Sequence, residues 1–410
     1  MARLTRREVL SGAIGGLVAG AFPPALRAQP RLVRLGAIHP VSGPLAEIGL
    51  ACRLGVQMAV DAVNGAGGIA SLGAARLELL VGDSASAAGP RAEAERLIAA
   101  GARALTGAFH SSHTAAVAAV AQLRRIPFLV DTAVADAATL AAIEPSYVFR
   151  NFPTTTAFAR RAVQYLVEIF ADAQRPLLRV ALLHTTDALG TTQARRLEAA
   201  YTTLRPAFEM QEFVPISPRA TGVTGEVARL RAGAPDVLLL AVRPPIVGLL
   251  FRQLAHDPLP VAAIVSLGTP ELADAARAAG VAAGAERVME LAAWPNPRNA
   301  RAQRLAEEFT RRTGGRPLDA TAGYAYEAIL VLADAFERAA AAEPDALAEA
   351  LRRTSFPNPL MVAAGPVAFD ATGENPNASP AMLQIFGGRP TVVWPRAAAE
   401  RPYALLAPKP

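Results

Sequence analysis

Cysteine is almost missing from this 410-residue chain, in which Cys52 is the only example. One thiol excludes an internal disulfide and any metal site built on several cysteines. The sequence also lacks a strong excess of one charge, since 41 Lys and Arg face 35 Asp and Glu and the formal net charge is +6. Residues 1–28 hold half of that excess. The remainder is dispersed along the chain, which argues against a nucleic-acid partner.

Long hydrophobic runs are absent beyond the N-terminus, so the sequence predicts a soluble mature protein without a membrane-spanning helix. The first 28 residues differ, because Arg6 and Arg7 precede an apolar run over 13–22 and a small residue, Ala28. This order is typical of an export signal peptide, since the apolar run is too short to span a bilayer. The arginine pair favours twin-arginine export. An ordinary Sec signal that contains two arginines is the alternative.

What the sequence does contain is a regular alternation of strand-like and helix-like segments as far as about residue 285. The strand-like runs are Leu35–Ile38, Leu77–Val81, Leu105–Phe109, Pro127–Val130, Val180–Leu183, Val237–Ala241 and Ala262–Val265. Alternation of this kind predicts an α/β protein with parallel sheets covered by helices on both faces. The length and the 52% hydrophobic content favour two domains. Ligands of such sheets bind at the carboxyl ends of the strands.

The sequence carries a series of motifs within and between these segments. The series includes Ser42-Gly43-Pro44, Val60-Asp-Ala-Val-Asn-Gly-Ala-Gly-Gly-Ile69, Asp83-Ser-Ala-Ser86, Leu105–Ser112, Tyr147–Arg150, Ala322–Glu327 and Gly365–Asp370. In this order and spacing the chain resembles the periplasmic leucine/isoleucine/valine-binding proteins, the substrate receptors of branched-chain amino acid ABC transporters. The resemblance covers nearly all of the mature chain.

The resemblance implies a type I periplasmic binding fold, with two doubly wound parallel-sheet lobes joined by a three-strand hinge. Such a hinge allows the lobes to close on a ligand. We expect residues 1–28 to be the export signal, 29–150 and 291–357 to form lobe 1, and 151–290 and 358–410 to form lobe 2. Within the last segment, Gly365–Phe369 and Ala381–Phe386 are expected to be antiparallel strands of lobe 2.

Ligand contacts on lobe 1 are expected at three places. The loop after the third strand leads into a helix, where free backbone N–H groups and the helix dipole favour an anion. The resemblance places the ligand carboxylate there, on Ser111 with Ser112 beside it, while plain helix capping is the alternative. A second contact is expected at Thr132. Val134 stands where the family has a hydroxyl, and Ile48 stands where it has a tyrosine.

Lobe 2 departs further from the family. Leu189 and Arg243 follow strands at positions where the family has aromatic residues. Gly268 lies in the loop where the family has an acidic residue that pairs with the ligand ammonium. An added guanidinium and a missing carboxylate favour a solute with a carboxylate and an apolar or aromatic body over an amino acid. Two alternatives remain open: Glu271 supplies the acidic group, or Arg243 forms only a surface or hinge ion pair.

The resemblance therefore implies a periplasmic receptor that captures a small organic solute by lobe closure and delivers it to an inner-membrane ABC permease. We expect a monomer that needs no cofactor and no metal ion. Enzymatic activity is not expected, because His110 and His113 have no third ligand for a metal and the chain has no Gly-x-Ser-x-Gly motif. A periplasmic sensor for a kinase or chemoreceptor is an alternative function, and an exported enzyme on the same fold is another.

Overall fold

The computed structural model describes residues 32–136, 146–267 and 272–406, whose backbone is organised around two large sheets. Within these ranges the first sheet has five strands: β1 Leu32–His39, β2 Arg76–Asp83, β3 Ala104–Gly107, β4 Phe128–Val130 and β5 Val148–Arg150. All neighbours pair in parallel, in the order β2-β1-β3-β4-β5. This sheet and the helices that cover it are lobe 1.

The second sheet begins with the strands β6 Arg179–Thr185, β7 Glu209–Ile216, β8 Val237–Ala241, β9 Ala263–Leu267 and β10 Met289–Ala292. After a separate antiparallel pair, β11 Ser355–Phe356 and β12 Val367–Ala368, it is completed by β13 Ala381–Phe386 and β14 Arg389–Trp394. The order is β14-β13-β10-β9-β8-β6-β7. Strands β6 to β10 pair in parallel, whereas β13 and β14 are antiparallel. This sheet with its helices is lobe 2.

Helices connect the strands and cover both faces of each sheet. They are α1 Ala46–Gly65, α2 Gly89–Ala99, α3 Ser111–Arg124, α4 Thr155–Asp172, α5 Ala188–Leu204, α6 Thr224–Gly233, α7 Pro244–His256, α8 Leu272–Ala278, α9 Ala300–Arg312, α10 Ala320–Ala339 and α11 Pro344–Arg352. In lobe 1, α1, α10 and α11 pack on one face and α2 and α3 on the other. In lobe 2, α4 and α5 pack opposite α6, α7 and α8. The predicted α/β class with two doubly wound lobes is confirmed.

Polar residues determine where several helices begin. Thr154, Asp187, Asn299 and Asp319 each accept a backbone N–H from the first turn of α4, α5, α9 and α10 respectively. These caps satisfy donors that have no partner inside the helix. None of the helices in the described ranges combines the length and the apolar character needed to cross a bilayer.

The chain passes between the lobes after β5, after β10 and before β13, and the first and last of these crossings lie side by side. The backbone N–H of Arg150 donates to the Gly373 carbonyl at 2.9 Å, and its carbonyl accepts from Asn375 at 3.2 Å. The Arg150 side chain is 1% exposed and donates to the Ala133 carbonyl at 2.7 Å and to Glu374 at 3.0 Å. Arg150 therefore ties two crossings to the loop after β4.

The expectation that Gly365–Phe369 belongs to lobe 2 is wrong. Strand β12 pairs with β11, and Val367 and Phe369 are part of the lobe 1 core, where the rings of Phe369 and Phe149 are 5.2 Å apart. An alternating apolar pattern predicts a strand, but it does not say which core the apolar side chains complete. The antiparallel strand at Ala381–Phe386 is confirmed with the predicted bounds.

Candidate functional site

The loop between β3 and α3 has a backbone that requires glycine. Gly107 has φ +116°, and a Cβ there would lie 1.9 Å from the Ile38 carbonyl oxygen. Ala108 follows with φ +63°, and the Thr114 hydroxyl donates to the carbonyl of Ala108 and, at 2.9 Å, to that of His110. The loop is thus fixed in one tight turn at the carboxyl end of β3.

This turn leaves the start of α3 uncapped. The helix begins at Ser111, and no side chain accepts a hydrogen bond from its first N–H groups. In the described part of the chain, the hydroxyls of Ser111 and Ser112 have no hydrogen-bond partner either; Ser111 is half-buried and Ser112 exposed. Free N–H groups, two hydroxyls and the positive end of a helix dipole form an arrangement that suits an anion.

The loop after β4 contains a buried polar network that the sequence did not reveal. Asp131 is 0% exposed and accepts from the Thr106 hydroxyl at 3.0 Å; its Oδ2 also lies 3.1 Å from His39 Nε2. Thr132 is 4% exposed, and its hydroxyl donates to Asp131 Oδ1 at 3.1 Å. The Thr132 side chain is therefore engaged inside lobe 1, and a solute would reach this residue most directly through its backbone.

The other two residues expected on lobe 1 differ in exposure. Val134 is 40% exposed, and its backbone carbonyl accepts from the backbone N–H and the hydroxyl of Thr155 at 2.9 and 3.0 Å. Ile48 lies in the first turn of α1 and packs partly buried against the lobe 1 core. Val134 is thus accessible beside the first crossing, whereas the Ile48 side chain packs largely against the lobe 1 core.

In lobe 2, Arg243 forms an ion pair at the carboxyl ends of β6 and β8. Its Nε donates to Asp187 Oδ2 at 2.7 Å, and the arginine side chain is 48% exposed. Asp187 Oδ1 accepts from Gly190 N–H at 3.0 Å and from the Thr185 hydroxyl at 2.8 Å. Burial raises the pKa of Asp187, but these hydrogen bonds and the guanidinium outweigh it and lower the pKa to about 2. The terminal N–H groups of Arg243 have no partner among the described residues.

One face of α5 is turned toward lobe 1. Leu189, Gln193 and Arg196 recur at helical spacing, and Arg196 reaches across to Asp136 of lobe 1 at an N–O distance of 2.8 Å. Leu189 is half-buried in the first turn of this helix. Gln193 donates from Nε2 to the Leu267 carbonyl, at the carboxyl end of β9, at 2.7 Å. This face borders the space between the two lobes.

Gly268, which stands where the family has an acidic residue, and the alternative Glu271 lie outside the described residues. The structure shows another carboxyl close to the end of the loop after β9, on β10. Glu290 is 0% exposed and accepts from Leu272 N–H at 2.8 Å, at the start of α8. Burial raises the pKa of Glu290 to about 7, against an ordinary value of 4.5.

The sequence model of the periplasmic binding protein family matches residues 32–389. The chain belongs to this family. A curated relative, Leu/Ile/Val-binding protein homolog 8 of Brucella abortus strain 2308, is 25% identical over 381 residues, which cover 90% of this chain and 91% of the relative. The family resemblance seen in the sequence motifs is therefore confirmed.

Solved structures share the fold over almost the whole length. A branched-chain amino acid ABC transporter periplasmic ligand-binding protein from Burkholderia xenovorans LB400 superposes with a TM-score of 0.72 at 14% identity, covering 92% of this chain and 94% of that one. A solute-binding protein of an ABC transporter from Rhodopseudomonas palustris BisB5, in complex with 3,4-dihydroxybenzoic acid, gives 0.62 at 17% identity, covering 88% and 95%.

As a periplasmic binding protein, this chain has solute-facing candidates that the sequence analysis missed. Asp187 was visible as a polar residue before a helix, which is the usual signal of an N-cap. Its pairing with Arg243 was not visible, because the two residues are 56 positions apart. Gln193 and Asp136 gave no signal, since a single amide on a helix and a single acid in a loop are most often solvated surface residues.

Proposed function

We propose that this periplasmic binding protein captures a small carboxylate with an apolar or aromatic body and, as a monomer in the periplasm, delivers it to an inner-membrane ABC permease. The observation that carries the proposal is the uncapped start of α3. Its free N–H groups and the hydroxyls of Ser111 and Ser112 have no hydrogen-bond acceptor among the described residues. A carboxylate supplies that acceptor in a charge-assisted form. Val134, which is 40% exposed, and the half-buried Leu189 are the apolar candidates for contact with the body of the solute.

Lobe 2 supports an acid rather than an amino acid. Asp187 is already neutralised by Arg243 and by its cap on α5, and Glu290 is held by Leu272 with a pKa near neutrality. The charge of Asp187 is thus already paired, and Glu290, whose Oε2 has no partner among the described residues, is only partly ionised near neutral pH. Burial of an ammonium without a counter-charge costs several kcal/mol, which lowers affinity by orders of magnitude. The terminal N–H groups of Arg243 suit a carboxylate or another planar acceptor.

The names of similar proteins point to two solute classes. The Brucella relative is named for leucine, isoleucine and valine, whereas the Rhodopseudomonas protein holds a dihydroxybenzoic acid. The charges described above favour the second class for this chain. They also make the choice measurable, because leucine and its deaminated analogue 4-methylpentanoate differ only in the amino group.

Isothermal titration calorimetry with leucine, 4-methylpentanoate and benzoate tests the proposal. We expect at least one of the two acids to bind and leucine to bind much more weakly. Arg243→Gln is expected to weaken binding of the acid by about tenfold or more, as for a lost hydrogen bond to a charged group. Arg195→Gln, on the exposed side of α5, is the matched control and should leave affinity unchanged. Micromolar binding of leucine without binding of either acid would restore the amino-acid role, with Glu271 as its partner.

A further inference from the structure

Gln193 presents an unused hydrogen-bond acceptor on the face of α5 that borders lobe 1. Its Oε1 atom is buried and receives no hydrogen bond in the described part of the chain. The opposite end of the amide is fixed, because Nε2 donates to the Leu267 carbonyl at 2.7 Å. A flipped amide would bring two oxygens together at that distance. The orientation with Oε1 unpartnered is therefore the chemically consistent one.

Two neighbours on the same face of α5 show in which direction Gln193 lies. Leu189 lies one turn before Gln193, and Arg196 lies one turn after it on the same side. Since Arg196 forms its ion pair with Asp136 of lobe 1, the shared face is directed at the loop after β4. That loop also contains Val134, which is 40% exposed. Gln193 thus shares a face of α5 with Leu189, a candidate solute contact, and this face is directed at the loop that contains Val134.

A buried acceptor without a donor is unfavourable, so a donor that enters this space gains from pairing with it. An amide oxygen accepts from a neutral hydroxyl or N–H but carries no full charge to neutralise an ammonium. We infer that Gln193 is a specificity-determining residue whose Oε1 accepts a hydrogen bond from a hydroxyl or amide N–H on the body of the carboxylate solute. The inference rests on the proposed function, and it specifies the second polar group of the solute.

Matched pairs of acids provide the test: benzoate with 3-hydroxybenzoate and 4-hydroxybenzoate, and 4-methylpentanoate with 2-hydroxy-4-methylpentanoate. We expect calorimetry on the purified protein to show that the hydroxyl raises affinity about tenfold in at least one pair. Gln193→Leu should abolish that advantage while changing the affinity for the plain acid by less than threefold.

Gln211→Leu is a stringent control. Gln211 lies on β7 and shows the same pattern, with Nε2 donating to the Gly233 carbonyl at 2.8 Å and Oε1 buried without a partner. It does not lie on the α5 face, so the hydroxyl advantage should persist in this variant. Thermal melting of each variant reports whether the fold is intact.

The calorimetric results separate failure of the inference from failure of the proposed function. Plain acids that bind as tightly as their hydroxylated partners, or a hydroxyl advantage that survives Gln193→Leu, would overturn the inference and leave the proposed function standing. Loss of the advantage in Gln211→Leu as well would also overturn it, because the effect would then be general to lobe 2. Failure of every acid to bind would overturn the proposed function and the inference together.

Discussion

Replacement of Glu327 by Gln is expected to remove a pH dependence from the stability of this protein. Glu327 lies on α10 with 1% exposure, and its Oε2 accepts the backbone N–H groups of Leu360 at 2.6 Å and Met361 at 3.3 Å. Met361 packs with residues of the first two crossings, Phe152 and Ala293. The carboxyl therefore lies where the two lobes are joined.

The magnitude follows from the pKa of this group. Burial raises the pKa of Glu327 from an ordinary value of 4.5 to about 7, although the two backbone N–H groups oppose the change. Between these values the folded protein binds a proton more tightly than the unfolded chain. The stabilisation is thus complete below about pH 4.5 and is lost as the pH rises through about 7. The free energy of unfolding should fall by about 1.4 kcal/mol per pH unit over this window, or about 3 kcal/mol in total.

Urea denaturation of the wild type and Glu327→Gln at pH 5, 6, 7 and 8, followed by circular dichroism, measures this difference. The amide of the variant can still accept from Leu360 but does not titrate. The unfolding free energy of Glu327→Gln, compared with that of the wild type, should therefore rise with pH across the window. Glu198→Gln, which removes an exposed carboxyl from α5, is the control for the loss of one charge. A difference in unfolding free energy between wild type and Glu327→Gln that stays constant from pH 5 to pH 8 would contradict a raised pKa of Glu327.

Three further predictions concern the anion site and export. Ser111→Ala should weaken binding of the acid by about tenfold to a hundredfold in calorimetry with melting unchanged, and an affinity within a factor of two would place the carboxylate elsewhere. Gly107→Ala should lower stability by about 1–3 kcal/mol or more in thermal denaturation, because φ is +116° and the new Cβ would meet the Ile38 carbonyl; unchanged melting would contradict this. Replacing Arg6 and Arg7 by Lys should leave precursor in the cytoplasm of cells with a working Sec pathway, whereas an unchanged periplasmic yield would exclude twin-arginine export.

Much of the secondary structure could be predicted because it depends on neighbours in the chain. The run Val237–Ala241 was predicted with the bounds of β8, since five consecutive apolar residues between helix-like segments are typical of a buried parallel strand. Strands β7 and β10 were missed for opposite reasons. The exposed β7 alternates only weakly at the edge of its sheet, and the buried β10 contains a charged residue, Glu290.

The alternation of strands and helices follows from the sequence alone, because hydrophobic periodicity acts over a few residues. The tertiary structure was needed to show that β12 completes lobe 1, that Arg243 pairs with Asp187, and that Arg196 pairs with Asp136. Each of these depends on packing between segments that are distant in the chain. Such contacts are selected by the free energy of the whole fold, which no local pattern records.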